Sequence, residues 1–204
     1  MNNKSVQIIA FVAFVLVAVA ALYYGMNEDT NSGNSAEPQG EPRTVHILKY
    51  SDYQCPACKA YIPLQEQLED DYGDLVEIEY RYFPLSGHQF AALAARSVEA
   101  ARLQGKYEEM HDLVFEHQEE WSRGGAEQHF ENYAEQIGLD MEQFRGDVES
   151  DEVNRTVESQ KAEGERRTVT ATPTYFVNGQ KLQQNPQSYE QFKSIVELFM
   201  YRSN

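Results

Sequence analysis

Cys55 and Cys58 are the only cysteines in the chain, and they stand in YSDYQCPACKAY with Pro56 and Ala57 between them. Cysteines at this spacing serve as half of a metal site, as a short stabilising bridge, or as a redox-active dithiol. A zinc site needs further ligands, yet there is no second cysteine pair, and His46, His88, His111, His117 and His129 show no paired spacing that suits zinc. A bridge across so short a loop removes little chain entropy and is a poor staple. The pattern therefore favours redox chemistry. A proline directly after Cys55 suits the first turn of a helix, where its missing N–H costs nothing. Cys55 then sits at the helix N-terminus, where free N–H groups and the positive end of the dipole hold a thiolate below the free-cysteine value of about 8.5. Cys58, a turn further in, is expected to stay protonated until it resolves a mixed disulfide formed at an exposed Cys55.

The elements that must position this pair can be read on either side of it. TVHILKYSDY reads as a buried strand with Val45, Ile47 and Lys49 on one face and His46, Leu48 and Tyr50 on the other. A helix over 56–71 follows, kinked at Pro63 and ended by Gly73. LVEIEYRYFP alternates as a second strand, with Val76, Ile78, Tyr80 and Tyr82 facing one way. From 88 to about 167 only helical patterns appear, over 90–105, 106–118, 127–138 and 141–164, broken at Gly105, Gly125 and Gly138. PTYFVN then reads as a strand, Asn178-Gly179 as a two-residue hairpin turn into Gln180-Lys181-Leu182, and 188–201 as a closing amphipathic helix. The order is β-α-β, a helical block, then β-β-α. That is an α/β, thioredoxin-type layout: a central mixed sheet with flanking helices and an all-helical insertion over about 88–167. In such a layout Pro173 of Ala171-Thr172-Pro173-Thr174 is cis and faces the dithiol, leaving the Thr172 backbone to pair with an extended peptide and its hydroxyl to touch the thiolate. The competing reading is an ordinary trans proline opening an edge strand.

The remaining features bound the setting. A net charge of −16, from 33 acidic and 17 basic residues, repels phosphates and excludes a nucleic-acid partner. Residues 1–26 carry Lys4 and then an apolar run over 6–24, about 28 Å of helix and close to a bilayer's hydrocarbon thickness. Lys4 before the run and Glu28 and Asp29 after it orient the rest of the chain outward. The segment reads as a single-pass anchor in the cell membrane; cleavage after Ala18-Val19-Ala20, giving a secreted or periplasmic protein, is the alternative. Residues 27–43 form a flexible polar linker, and the folded domain spans 44–204.

SDYQCPACKAY, YRYFPLSGHQFAALAARSVEAARLQGKYEEMHDLVFEHQ and TATPTYFVNGQKL together resemble the DsbA-like branch of the thioredoxin superfamily, from about residue 44 to the C-terminus. The resemblance implies an extracytoplasmic protein disulfide oxidoreductase. Cys55 is then the nucleophile, Cys58 the resolving cysteine and Pro173 the cis-proline, with Pro56 and Ala57 tuning the potential. It implies substrates that are unfolded, newly exported polypeptides with free thiols, and re-oxidation by a quinone-coupled membrane protein. It also implies a monomer that needs no cofactor beyond its own Cys55–Cys58 disulfide. A reductase or isomerase of the same fold and a non-catalytic peptide-binding or chaperone module are the alternatives. One departure stands out: where this group often carries a buried acid, six residues before the first cysteine, this chain has Lys49. Two readings of Lys49 follow, a base whose charge burial disfavours, or a side chain that runs along the strand to solvent or to Glu77 or Glu79. His88, Met110 and Trp121 read as core or cap residues rather than ligands.

Overall fold

The computed structural model describes residues 40–202, so the anchor expected over 1–26 and most of the linker lie outside the described residues. Among the described residues no helix is long and apolar enough to cross a membrane.

Strand β1 (Val45–Ser51) is the centre of the site's scaffold. Its β-branched and aromatic residues suit a strand flanked on both edges, and the sheet order is β2-β1-β3-β4. β2 (Val76–Tyr82) runs parallel to β1 in the register Val45–Val76 through Ser51–Tyr82. β3 (Thr174–Val177) and β4 (Gln180–Lys181) continue the sheet antiparallel. A parallel pair needs a crossover, which α1 (Pro56–Ala60) and α2 (Ile62–Tyr72) supply. The β3–β4 connection is the expected two-residue turn, with Asn178 at φ 45° and Gly179 at φ 80°, the left-handed pair such a hairpin demands.

Helices α3 (Ala91–Leu103), α4 (Tyr107–Glu116), α5 (Gln118–Trp121), α6 (Ala126–Gln136), α7 (Met141–Val148) and α8 (Asp151–Arg166) form the block between the two halves, and α9 (Tyr189–Met200) closes the fold. Two expected helices are each broken. The 56–71 helix stops at Tyr61, because a proline at 63 inside one continuous helix would clash with the Lys59 carbonyl; Pro63 instead lies in the first turn of α2. The 141–164 helix divides at Ser150, whose hydroxyl caps α8 by accepting from the Val153 N–H at 3.2 Å. α8 then runs through Gly164, which it uses for close approach: a Cβ there would lie 2.7 Å from Phe83 and 2.9 Å from Tyr50.

The apolar interior has two main parts. Ile47, Leu68, Tyr175, Val177, Phe192 and Val196 fill the space between the sheet, α2 and α9. Val98, Met110, Phe115, Trp121 and Phe130 fill the helical block, and Tyr53, Cys55 and Cys58 pack with this second group. The dithiol therefore hangs from the sheet but is walled by the insertion.

Candidate active site

Cys55 is the N-cap of α1, with an extended backbone, and Pro56 takes the first helical position. Pro56 and Ala57 are exposed at the rim. Both thiols are free. The Cys55 N–H donates to the Asp52 carbonyl at 3.0 Å, and Gln118 Nε2 donates to the carbonyls of Cys55 at 3.0 Å and Tyr53 at 2.6 Å. Cys55 is less open than a helix N-terminus suggests, keeping 7% of its surface, while Cys58 keeps none. α5 and the β3 loop close over it. The Thr172–Pro173 peptide is cis, and the Thr172 carbonyl lies 3.4 Å from Cys55 Sγ. The carbonyl, not the hydroxyl, is thus the group that meets the Cys55 thiol. Once the sulfur is ionised a carbonyl has nothing to accept, and the Thr172 hydroxyl, which is buried without a partner, is left to donate.

The two sulfurs are driven apart in acidity. The hydrogen bond from the Cys58 thiol pulls the Cys55 pKa down to about 5, against the cost of burial and with help from Thr172 and the Cys58 and Ala57 amides. Cys58 is pushed far up, first by burial and then by donating to Cys55; Lys49 opposes that rise.

Lys49 is wholly buried and neither reaches solvent nor pairs with Glu77 or Glu79, which bind His46 and Arg81 instead. β1 turns it inward on the face of Val45 and Ile47. Its ammonium donates to Gln65 Oε1 at 2.7 Å and to the Cys58 carbonyl at 3.3 Å, and lies 5.0 Å from the Tyr80 ring centre. Burial lowers its pKa to about 8, with the neighbouring Cys58 and Cys55 sulfurs holding it up. Gln65 is in turn bound by Tyr80 and Tyr175. His111, its Nδ1 2.8 Å from the Tyr53 hydroxyl, is kept neutral by burial and by Lys49, its pKa lowered to about 3.

Met110 and Trp121 are core residues as expected, but His88 is neither core nor cap. Its Nδ1 sits 2.7 Å from Oδ2 of Asp52, a carboxylate buried three residues before Cys55. Sequence reasoning missed Asp52, Gln65 and Gln118. A polar residue at an otherwise inward or motif-adjacent position was the available signal for Asp52 and Gln65, whereas nothing local marks Gln118.

Residues 37–198 match the family model described as thioredoxin. The chain is similar to the solved structure of a thioredoxin-like oxidoreductase from Silicibacter pomeroyi DSS-3, at 27% identity and a TM-score of 0.63 over 76% of this chain and 86% of that one. It shares its fold with the thiol-disulfide exchange protein α-DsbA2 from Wolbachia pipientis, at 19% identity, a TM-score of 0.65 and coverage of 88% and 92%. The same holds for oxidised BdbD from Bacillus subtilis, at 20% identity, a TM-score of 0.65 and coverage of 81% and 89%. Among curated proteins it is similar to a Na(+)/H(+) antiporter, NhaA 1, from Mycolicibacterium vanbaalenii, at 38% identity over 138 residues, 65% of this chain. Those residues are 21% of that antiporter, so the chain spans about a fifth of the curated relatives it matches. Ion transport is a name borne by proteins that are mostly outside the match.

Proposed function

We propose that the chain, which belongs to the thioredoxin family, is a DsbA-like thiol:disulfide oxidoreductase that donates disulfides to exported polypeptides. The observation that carries this reading is the placement of Cys55 at the N-cap of α1 against the Thr172–Pro173 cis peptide, with Cys58 buried behind it, an arrangement that favours a thiolate on Cys55 over one on Cys58. Stabilising one thiolate stabilises the reduced enzyme, so the oxidised enzyme gives its disulfide away readily.

In the proposed cycle a substrate thiolate attacks Cys55 Sγ of the Cys55–Cys58 disulfide, and the S–S electron pair leaves on Cys58. Lys49, against the Cys58 carbonyl, stabilises that leaving charge. A second substrate thiolate then attacks the substrate sulfur of the mixed disulfide and expels Cys55 as a thiolate. The substrate loses two electrons and two protons; the enzyme gains both electrons, one proton rests on Cys58, and the other is released to solvent because Cys55 stays a thiolate. Because Cys55 is the acidic member of the pair, it is the good leaving group this last step needs.

The Thr172 main chain supports a polypeptide substrate. It lies beside Cys55, before the first residue of β3, where an extended peptide can pair with it, whereas Pro173, Thr174 and Tyr175 are already engaged by Asn185, Tyr50 and Leu182. Re-oxidation falls to a quinone-coupled membrane partner, which a tether over 1–26 would keep near. Exchange in this form needs no bound cofactor, and one copy of the chain carries every group it uses.

The test is equilibration of the full-length chain with glutathione buffers, scoring the Cys55–Cys58 state by alkylation and mass. A midpoint well above the glutathione couple supports a donor. A midpoint near that of thioredoxin, about −270 mV, overturns the direction and makes the protein a reductase.

A further inference from the structure

The main chain of Asp52 touches both sulfur-bearing residues: its carbonyl accepts from the Cys55 N–H at 3.0 Å, and its N–H points at Cys58 Sγ at 3.5 Å. Its side chain faces the other way, into the loop between β2 and α3. Its Oδ1 accepts from the Gln54 N–H of its own turn at 2.7 Å, and in that loop Oδ2 accepts from the Leu85 N–H at 2.8 Å and meets His88 Nδ1 at 2.7 Å. The same loop is fixed twice more, to the end of β1 by Phe83 N–H to the Ser51 carbonyl at 2.8 Å and to the dithiol loop by Phe90 N–H to Gln54 Oε1 at 2.7 Å. A buried carboxylate is costly unless donors surround it, and this one has three.

We propose that Asp52 and His88 are a positioning pair: by anchoring the Asp52 side chain to the β2–α3 loop, they hold the Asp52 N–H on Cys58 Sγ and so speed resolution by Cys58. The inference rests on the oxidoreductase reading above. Cys58 is the sulfur whose ionisation is hardest, for it is buried and already donates to Cys55. A fixed N–H donor stabilises the anion that must form there, and a donor that swings away stabilises nothing. The Cys55 thiolate draws first on the protonated Cys58 thiol and then on the Thr172 hydroxyl and the amides of Cys58 and Ala57; none of these is the Asp52 N–H, so loosening Asp52 separates the two steps.

The reaction with oxidised glutathione isolates them. The Cys55 thiolate attacks one glutathione sulfur, forming the mixed disulfide and expelling one glutathione thiolate. Cys58, as it loses its proton, then attacks Cys55 Sγ, closing the protein disulfide and expelling the second. Acid-quenched mass spectrometry of the full-length reduced chain counts the mixed disulfide over time. Asp52→Asn keeps the shape but offers one acceptor oxygen where the carboxylate had two, and turns an N–H2 toward donors. We expect capture at Cys55 to change less than about twofold while closure by Cys58 slows about tenfold, the worth of one hydrogen bond to a charged group. His88→Leu, at a partly exposed site, is expected to slow closure about threefold, since it removes one of the three donors. It carries the test alone if Asp52→Asn does not fold. Closure at the wild-type rate in a folded variant, or equal slowing of both steps, overturns the proposal. A wild-type chain that captures no glutathione overturns the oxidoreductase reading instead.

Discussion

The two ends of β1 treat charge in opposite ways. At its N-terminal end His46 pairs with Glu77 at 2.7 Å, but both side chains stay more than half exposed, at 66% and 61%. At its C-terminal end Lys49 and, just beyond, Asp52 are buried completely, each bound to fixed protein groups. An exposed pair keeps most of its hydration in either state, so forming it changes little. A buried charge gives up its hydration and persists only where neighbours replace that water, an arrangement that stability alone seldom favours. Burial on one strand thus marks the end where charge acts on something else, and here that something is the Cys55–Cys58 pair.

The sharpest way to break this contrast is at the sulfur itself. Cys55→Ser is expected to lower oxidation of a dithiol peptide by roughly a thousandfold or more, because a hydroxyl does not replace a thiolate nucleophile at neutral pH. Undiminished function in that variant would turn the molecule into a peptide holder. In the wild-type reduced chain, iodoacetamide labelling of Cys55 should be half-maximal at about pH 5 and fall about tenfold per pH unit below it. The folded pKa is depressed, so the thiolate stabilises the reduced fold above the unfolded cysteine value, and this stability is lost as pH falls through 5. The gap in melting temperature between reduced and oxidised protein should accordingly narrow on acidification.

Lys49→Met is the next largest probe. It keeps the apolar stem and removes the charge beside Cys58, so we expect closure by Cys58 to slow about tenfold. Wild-type closure should lose this help as pH rises through about 8, where Lys49 itself deprotonates, and the variant should show no such break. Its melting temperature should hold or rise, since a desolvated ion has gone. A fall in stability with unchanged closure would make Lys49 a structural residue.

How far this contrast could be read from sequence follows from where each partner lies. Cys55, Cys58, Thr172-Pro173 and Asn178-Gly179 announce themselves because their roles depend on neighbours within a few residues. The burial of Lys49 was half legible: it falls on the face of Val45 and Ile47, but a long side chain at the end of a strand can also run outward. Gln118 was not legible, for it reaches Cys55 from 63 positions away, and a single glutamine in a helical stretch has no period to betray it. Asp52 and His88 were hidden for the same reason, their separation being 36. The break before α8 was within reach, since Ser150 followed by Asp151 and Glu152 is an ordinary helix start. Gly164 misled in the other direction, as a helix end where it is a contact.

That contact gives a stability probe away from the sulfurs. Gly164→Ala would force a methyl group between Phe83 and Tyr50, and we expect a cost of about 1–3 kcal/mol from overpacking. Gly146→Ala, inside α7 with nothing within 4 Å of the new methyl, should instead be neutral or stabilising by up to about 1 kcal/mol. Denaturant midpoints on the two variants decide it. Equal effects would mean that α8 does not press on β1 as closely as the ring distances say.

The smallest effect should come from the other end of the strand. His46→Ala removes the pair with Glu77, which is worth under about 1 kcal/mol at such exposure. It leaves intact the two bonds that tie the strand to the hairpin, because both use the His46 main chain: N–H to Asn178 Oδ1 at 2.9 Å and carbonyl from Asn178 N–H at 2.8 Å. Glutathione closure rates should match wild type. A change of several-fold in closure would be the more instructive result, for Lys49 lies only three positions along the same strand. It would mean that the exposed charge at 46 is felt at Cys58, and the two ends of β1 would have to be treated as one electrostatic unit.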